Sequence, residues 1–135
     1  APNSPFRVLL NWNKLGSGDE IEIVDELKAS ATLIIKKYGY TSVNEEFKKY
    51  VRKHSLNVFL ITGVDTDACV LKTAVDLFEN GYVPYILKDY CASSGGHRYH
   101  RYALKILSRL IGEERIISEG KLISLLKLGK EGDNI

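Results

Sequence analysis

Short apolar runs rich in β-branched residues alternate along the chain with segments whose apolar residues recur at helical spacing. The runs predict strands at 6–10, 32–35, 57–62, 82–87 and 115–117. The recurring segments predict helices at 44–54, 67–80, 97–110 and 119–128. This alternation is typical of the α/β class, with an open parallel sheet and helices on both faces in a three-layer, Rossmann-like arrangement.

Several positions refine these elements. The run 57–62 (NVFLIT) is apolar without interruption from 58 to 61, which predicts a strand buried on both faces. Gly81 is the expected C-terminal stop of the helix 67–80, and Ser118 is the expected N-cap of the last helix. In the helix 67–80, one face carries Val70, Ala74, Leu77 and Phe78. In the helix 97–110, the residues predicted to face inward are Tyr99, Ala103, Ile106 and Leu110.

The chain has 135 residues, which fits a single domain over 1–135. Its net charge of +2 comes from 19 basic and 17 acidic residues that are scattered, so a nucleic-acid partner is not expected. No apolar stretch approaches the roughly 20 residues that span a bilayer. Two cysteines make no disulfide framework, which favours a cytoplasmic protein. The sequence contains no methionine, even at position 1, so we expect a processed chain or a fragment.

The segment TGVDTDACV at 62–70 places a cysteine where a predicted strand gives way to a helix. Ligands of open α/β sheets bind beyond the carboxyl ends of the strands. With Thr66 as the cap, Cys69 would lie in the first helical turn, where the helix dipole favours a thiolate and backbone N–H groups can bind an oxyanion. The alternative is structural, because cysteine also packs as a small buried hydrophobe.

The longer stretch GVDTDACVLKTAVDLFENGY resembles the nucleophile segment of the isochorismatase-like cysteine hydrolases, which include nicotinamidases and N-carbamoylsarcosine amidases. The resemblance extends from about residue 18 to residue 117. It implies that Cys69 is the nucleophile and that the peptide bond before Asp65 is cis. It also implies that the backbone N–H groups of Asp65 and Cys69 form the oxyanion hole. A homo-oligomer is a further implication.

A second segment, KYGYTSV at 37–43, is similar to the Lys-x-x-Tyr-Ser-Ala-Phe motif of that family. The resemblance assigns the catalytic lysine to Lys37, whose ammonium group would stabilise a thiolate and an anionic intermediate. Without it, a solvated surface lysine would be the simpler interpretation. Tyr40 and Val64 are predicted to line the substrate pocket, and Trp12 either lines it or packs in the core.

The aspartate that activates the thiol in this family has no clear counterpart. The segment 8–13 (VLLNWN) can be aligned in two ways. As the first strand, it places Asn11 at the aspartate position. As the second strand, its Asn-Trp-Asn replaces the metal-binding Asp-Trp-His of nicotinamidases, and the first strand is absent from the chain. We predict no metal and no cofactor.

Two further residues have competing interpretations. Cys91 is either a resolving thiol or, as we prefer, a small half-buried residue. His100 resembles a histidine that many family members carry ahead of the helix, and we interpret it as a capping or packing residue.

The sequence therefore predicts a cysteine hydrolase that cleaves a C–N bond of a small amide or carbamoyl substrate through a thioester. One alternative is a weak or inactive relative that binds a small ligand or assembles with a partner. Another is vinyl-ether hydrolysis of the isochorismatase type. Neither a nucleic acid nor a membrane is an expected partner.

Overall fold

The computed structural model of the chain describes residues 4–14 and 18–132. It divides into two compact units, Ala1–Ile34 and Ile35–Ile135. The interpretation of the chain as one domain stays a prediction.

The first unit contains two short helices, α1 (Pro5–Val8) and α2 (Asp25–Ser30), and a 3-10 turn at Gly18–Ile21. The strand predicted at 6–10 is therefore wrong. Pro5 stands at the start of α1, where its fixed φ suits the first helical turn. The Ser4 carbonyl accepts the N–H groups of Arg7 and Val8, and this local turn replaces the ladder that a strand would need.

The second unit is built on a parallel three-stranded sheet in the order β1 (Val58–Val64), β2 (Val83–Ala92) and β3 (Ile116–Ile117). Four helices accompany it: α3 (Glu45–His54), α4 (Leu71–Glu79), α5 (His97–Ile111) and α6 (Glu119–Gly132). A 3-10 turn at Glu113–Arg115 precedes β3. The predicted α/β class with an open parallel sheet is confirmed.

The strand predicted at 32–35 is wrong, because this segment joins no sheet in the part of the chain that the structure describes. Its β-branched residues suit a strand by type, but a strand also needs a hydrogen-bonding neighbour. The other three predicted strands are confirmed, and the two longer ones extend past their predicted ends.

Three predicted helix ends agree with the observed structure: the start of α3, the end of α4 and the start of α6. The Asn44 side chain accepts the Phe47 N–H at 2.9 Å at the start of α3. Gly81 follows α4 with φ +82°, a conformation that glycine adopts without strain. Ser118 Oγ accepts the Lys121 N–H at 3.3 Å and so caps α6 as predicted.

Both faces of β2 are covered. Ile86 and Leu87 are neighbours in this strand, so they point to opposite faces, and both are buried. Ile86 packs in a cluster that collects apolar side chains from the turn after β1 and from α4 and α5: Val70, Ala74, Leu107 and Ile111. This cluster fixes the segment that carries Cys69 against the sheet.

The inward face of α5 differs from the prediction. The helix buries Ala103, Leu107 and Ile111, whereas Tyr99, Ile106 and Leu110 are each 48% exposed. Two apolar stripes lie side by side on this helix, and packing against the sheet selects only the first. On the apolar face of α4, Ala74 and Leu77 are buried, whereas Phe78 near the end of the helix is exposed.

The strand β1 is not buried on both faces, so that prediction is wrong. Its residues alternate in exposure, with Val58 at 63% and Val64 at 64%, while Ile61 packs against the core. Apolar residue types show that a face can be covered but do not show which element covers it.

Candidate active site

The candidate site begins at the carboxyl end of β1. The Val64–Asp65 peptide bond is cis, which confirms what the resemblance implied. Gly63, just before it, has φ +128°, in the region that favours glycine. A π-helical turn, Thr66–Val70, follows and runs directly into α4. Cys69 therefore lies in this π turn and not in the first turn of an α-helix.

The π turn changes which N–H groups the Asp65 carbonyl accepts. In an α-helix this carbonyl would accept the N–H of Cys69, four residues on. Here it accepts the N–H groups of Ala68 at 3.2 Å and Val70 at 3.1 Å, the residues on either side of Cys69. π turns of this kind occur often at functional sites.

A cavity of about 190 Å³ opens beside the turn. Its lining includes Lys37, Ser42, Ile61, Val64, Cys69 and Thr73. The structure thus brings together three of the residues selected from the sequence: Cys69, Lys37 and Val64. Among the described residues that line this cavity, none is a carboxylate or a histidine.

Lys37 reaches the cavity on a loop that is bonded to α4. The Ser42 N–H donates to Thr73 Oγ1 at 3.0 Å, which fixes the middle of the loop. Lys37 Nζ donates to the Tyr40 carbonyl at 2.8 Å, so Tyr40 meets the lysine through its backbone. These two bonds hold the ammonium group on the side of the cavity formed by the loop.

Asp76, one turn further along α4, adds a second attachment for this loop. Burial raises the pKa of its carboxyl, but hydrogen bonds from Lys72 and Thr41 and the charges of Lys72 and Lys48 lower it by more, so the pKa lies below its ordinary value. The charged carboxylate is therefore stabilised mainly by Lys72 on the same helix, and the hydrogen bond from Thr41 ties the loop to it.

Asp65 and Thr66 connect the turn to the segment between β2 and α5. The Asp65 carboxylate accepts the Ser94 N–H at 2.7 Å and the Ser94 hydroxyl at 2.8 Å. Thr66 is fully buried, and its Oγ1 lies 2.9 Å from the Ala92 carbonyl oxygen and 2.8 Å from His100 Nδ1. The expectation that Thr66 caps the helix is wrong, because its hydroxyl bonds to these two groups.

Sequence reasoning missed these two connections. The sequence predicted a cap at Thr66 and an oxyanion-hole N–H at Asp65, and neither role identifies the side-chain partners that the structure gives them. A threonine that follows a buried strand needs a partner for its hydroxyl, but nothing local identifies a partner 26 or 34 residues away.

Cys91 pairs with Gly63 across the sheet and is half-buried, with its Sγ 3.9 Å from the Ile61 carbonyl oxygen. Burial raises the pKa of the Cys91 thiol, and a hydrogen bond from the Gly63 backbone offsets part of that rise. This agrees with a packed residue better than with a reactive thiol.

Asn11 and Trp12 belong to the first unit and are described within it. Asn11 has φ +51°, and its Oδ1 and carbonyl oxygen each lie 3.3 Å from Asn13 Nδ2. The Trp12 N–H donates to the Phe6 carbonyl at 2.8 Å, and its side chain is 49% exposed. The catalytic position of Asn11 and the pocket roles of Trp12 and Tyr40 stay predictions.

Within residues 4–14 and 18–132, no three His, Cys, Asp or Glu side chains converge as ligands of a metal would. No helix in the same residues is both long enough and apolar enough to cross a bilayer.

Comparison with known proteins gives a consistent family. A model of the isochorismatase domain matches residues 5–114. Isochorismatase family protein 1A of Dictyostelium discoideum is 29% identical over 113 residues, which cover 81% of this chain and 50% of that protein.

Two solved structures are similar to the fold. An isochorismatase-like hydrolase from Alkaliphilus metalliredigens has a TM-score of 0.61 at 25% identity, covering 67% of this chain and 48% of its own. A pyrazinamidase/nicotinamidase from Streptococcus mutans has a TM-score of 0.53 at 30% identity, covering 56% and 42%. The chain spans about half the length of the relatives it matches.

Proposed function

Because the chain belongs to the isochorismatase family, we propose that it is a cysteine-dependent hydrolase of a C–N bond in a small amide or carbamoyl substrate. The observation that carries the proposal is that Cys69 and Lys37 line one cavity at the carboxyl end of β1. The two residues come from separate motifs, and the fold brings them to the same small space.

In the proposed reaction, Cys69 Sγ attacks the substrate carbonyl carbon and the carbonyl oxygen becomes an oxyanion. The backbone N–H groups of Asp65 and Cys69 stabilise that oxyanion. The π turn supports this role for Cys69, because the Asp65 carbonyl accepts the N–H groups of Ala68 and Val70 and not that of Cys69. Lys37 offsets the negative charge. The C–N bond then breaks, the amine leaves with a proton, and water hydrolyses the thioester.

The proposal needs a base that removes the thiol proton. Asn11, at the position that the resemblance gives to the aspartate, carries an amide, which does not accept a proton as a carboxylate does. A carboxylate from outside the recognised motifs would complete the site.

The lack of a carboxylate among the described cavity residues favours the second candidate, a relative that binds a small ligand or assembles with a partner without efficient turnover. Product release separates the two candidates, since a hydrolase releases an amine from the substrate and a binding protein does not.

The cavity also indicates the class of substrate. At about 190 Å³ it is smaller than the roughly 300–1,000 Å³ sites of drug-sized ligands. Lys37 supplies a positive charge, and no acidic residue is among the described residues of the lining. A small neutral or anionic substrate therefore fits better than a cation. Nicotinamide is a suitable first probe, since one structural neighbour is a pyrazinamidase/nicotinamidase.

The test measures ammonia released from nicotinamide and from a set of small primary amides and carbamoyl compounds. We expect release by the wild-type chain and none by Cys69→Ala. Binding of the same compounds without release would support the second candidate instead. A compound with a vinyl ether in place of the amide tests the isochorismatase-type reaction, and its readout is the carbonyl compound that hydrolysis releases, since no ammonia forms.

The proposal includes a cytoplasmic location and a homo-oligomer. Both cysteines of the chain are free thiols, which agrees with a reducing compartment. Analytical ultracentrifugation tests the oligomer, and a mass equal to a single chain over the micromolar range would rule it out.

A further inference from the structure

The Thr66 hydroxyl determines which ring nitrogen of His100 carries a proton. A backbone carbonyl can only accept, so Thr66 donates its single proton to the Ala92 oxygen at 2.9 Å. The 2.8 Å contact between Thr66 Oγ1 and His100 Nδ1 is then a hydrogen bond in which Nδ1–H donates. His100 therefore has its proton on Nδ1 when the ring is neutral, and it donates from the same atom when the ring is charged.

This chain of bonds joins three elements at one buried atom. Thr66 begins the π turn, Ala92 is the last residue of β2, and His100 lies in the first turn of α5. Ala92 is also the register partner of Val64, the residue before the cis peptide bond. The Thr66 hydroxyl thus ties the start of the turn that carries Cys69 both to the end of β2 and to the first turn of α5.

The burial of Thr66 makes this link costly to remove. It is the one polar residue in the described part of the chain that is fully buried, at 0% exposure. Replacing it with an apolar residue would leave the Ala92 carbonyl and the His100 Nδ1–H without their partner. The hydrogen bond between Thr66 and the half-buried imidazole therefore restricts both the position of the ring and the geometry of the turn.

We propose that His100 is a positioning residue for Cys69, and that its Nδ1–H, through Thr66 Oγ1, holds the π turn in the geometry that presents the thiol to the cavity. This inference rests on the proposed role of Cys69 as the nucleophile. It assigns His100 no contact with substrate. It also gives a buried threonine of the motif a function other than capping.

The first readout is the tautomer of the neutral His100 ring, measured from its side-chain ¹⁵N shifts. In the wild-type chain we expect the proton of the neutral ring on Nδ1. In Thr66→Val, which removes the acceptor, we expect the preference for Nδ1–H to be lost. Finding the proton on Nε2 in the wild-type chain would overturn the proposal.

The second readout is the rate at which iodoacetamide alkylates Cys69 at pH 7. Trypsin places the two cysteines on separate peptides, 54–72 and 89–98, so each rate is measured in the unmodified chain. We expect a three- to ten-fold fall in the Cys69 rate in His100→Ala and Thr66→Val. His100→Asn, whose amide N–H can replace Nδ1–H, and Thr66→Ser, which keeps the hydroxyl, should restore most of it.

His97→Ala is the matched control, because this histidine begins the same helix and is exposed. An equal loss in His97→Ala, or an unchanged Cys69 rate in folded His100→Ala, would overturn the proposal. If the alanine or valine variant does not fold, the comparison of His100→Asn with His100→Gln decides, since glutamine places its amide too far out to replace Nδ1. Failure of the hydrolase proposal appears separately, as no ammonia release with both readouts intact.

Discussion

The hydrogen bond from the Ser42 N–H to Thr73 Oγ1 attaches the loop that carries Lys37 to α4, and removing this bond tests that attachment. Thr73→Val keeps the shape of the side chain and removes the acceptor at 3.0 Å. Both residues are half-buried, so the Ser42 N–H is left partly without a partner. Such a loss costs about 0.5–1.5 kcal/mol, which corresponds to a roughly two- to ten-fold change in an equilibrium constant.

The assay is amide hydrogen exchange of Ser42, read together with the free energy of unfolding from urea titration. We expect the Ser42 amide to exchange about two- to ten-fold faster in Thr73→Val, by the same hydrogen-bond energy. Ser108→Ala is the control, because it also removes a hydroxyl that is hydrogen-bonded to the backbone, here as the donor to the Lys105 carbonyl at 2.8 Å on an exposed helix surface. A Ser42 amide that exchanges at the wild-type rate, with an unfolding free energy equal to that of the control, would refute this part of the reasoning.

Three other changes test the fold and its electrostatics. Leu107→Ala should lower the free energy of unfolding by about 2–5 kcal/mol, measured by urea titration, because its side chain is fully buried in the core; a loss no larger than that of an exposed leucine such as Leu110→Ala would contradict the described α5 face. Asn44→Ala should lower the free energy of unfolding by about 1 kcal/mol, because the Phe47 N–H loses its N-cap acceptor, and Asn44→Ser should retain most of that stability. The pKa of Asp76 is lowered in the folded chain, so its contribution to stability is present above its unfolded pKa of about 3.9 and is lost as pH falls through the folded pKa. Urea titrations of wild type and Asp76→Asn should therefore differ most above about pH 5 and converge in acid; a constant difference across this range would show that the folded pKa is not lowered.

The segment around Cys69 was the most predictable part of the site. Its strand and the cysteine in the following turn depend on residues that are adjacent in the sequence, and the family resemblance implied the cis peptide bond before Asp65. The meeting of Lys37 with Cys69 was also expected, because two motifs of one family indicated it.

The errors share one physical cause, which is that packing partners are not written in local patterns. Leu107 and Ile106 are both apolar and adjacent on α5, and only tertiary packing buries the first and exposes the second. The strand predicted at 57–62 is apolar at every position from 58 to 61, yet Val58 on one of its faces is exposed. Thr66 looked like a cap because its true partners, Ala92 and His100, come much later in the chain.

The central claim is that Cys69 forms a covalent intermediate, and mass spectrometry of the tryptic peptide 54–72 tests it most directly. The chain is mixed with nicotinamide, or with whichever amide releases ammonia fastest, and is quenched with acid within the first turnovers. We predict that this peptide gains the mass of the acyl group as a thioester on Cys69, and that the peptide 89–98 with Cys91 does not. Ammonia release with both peptides unmodified, and equal release by Cys69→Ala, would contradict the claim.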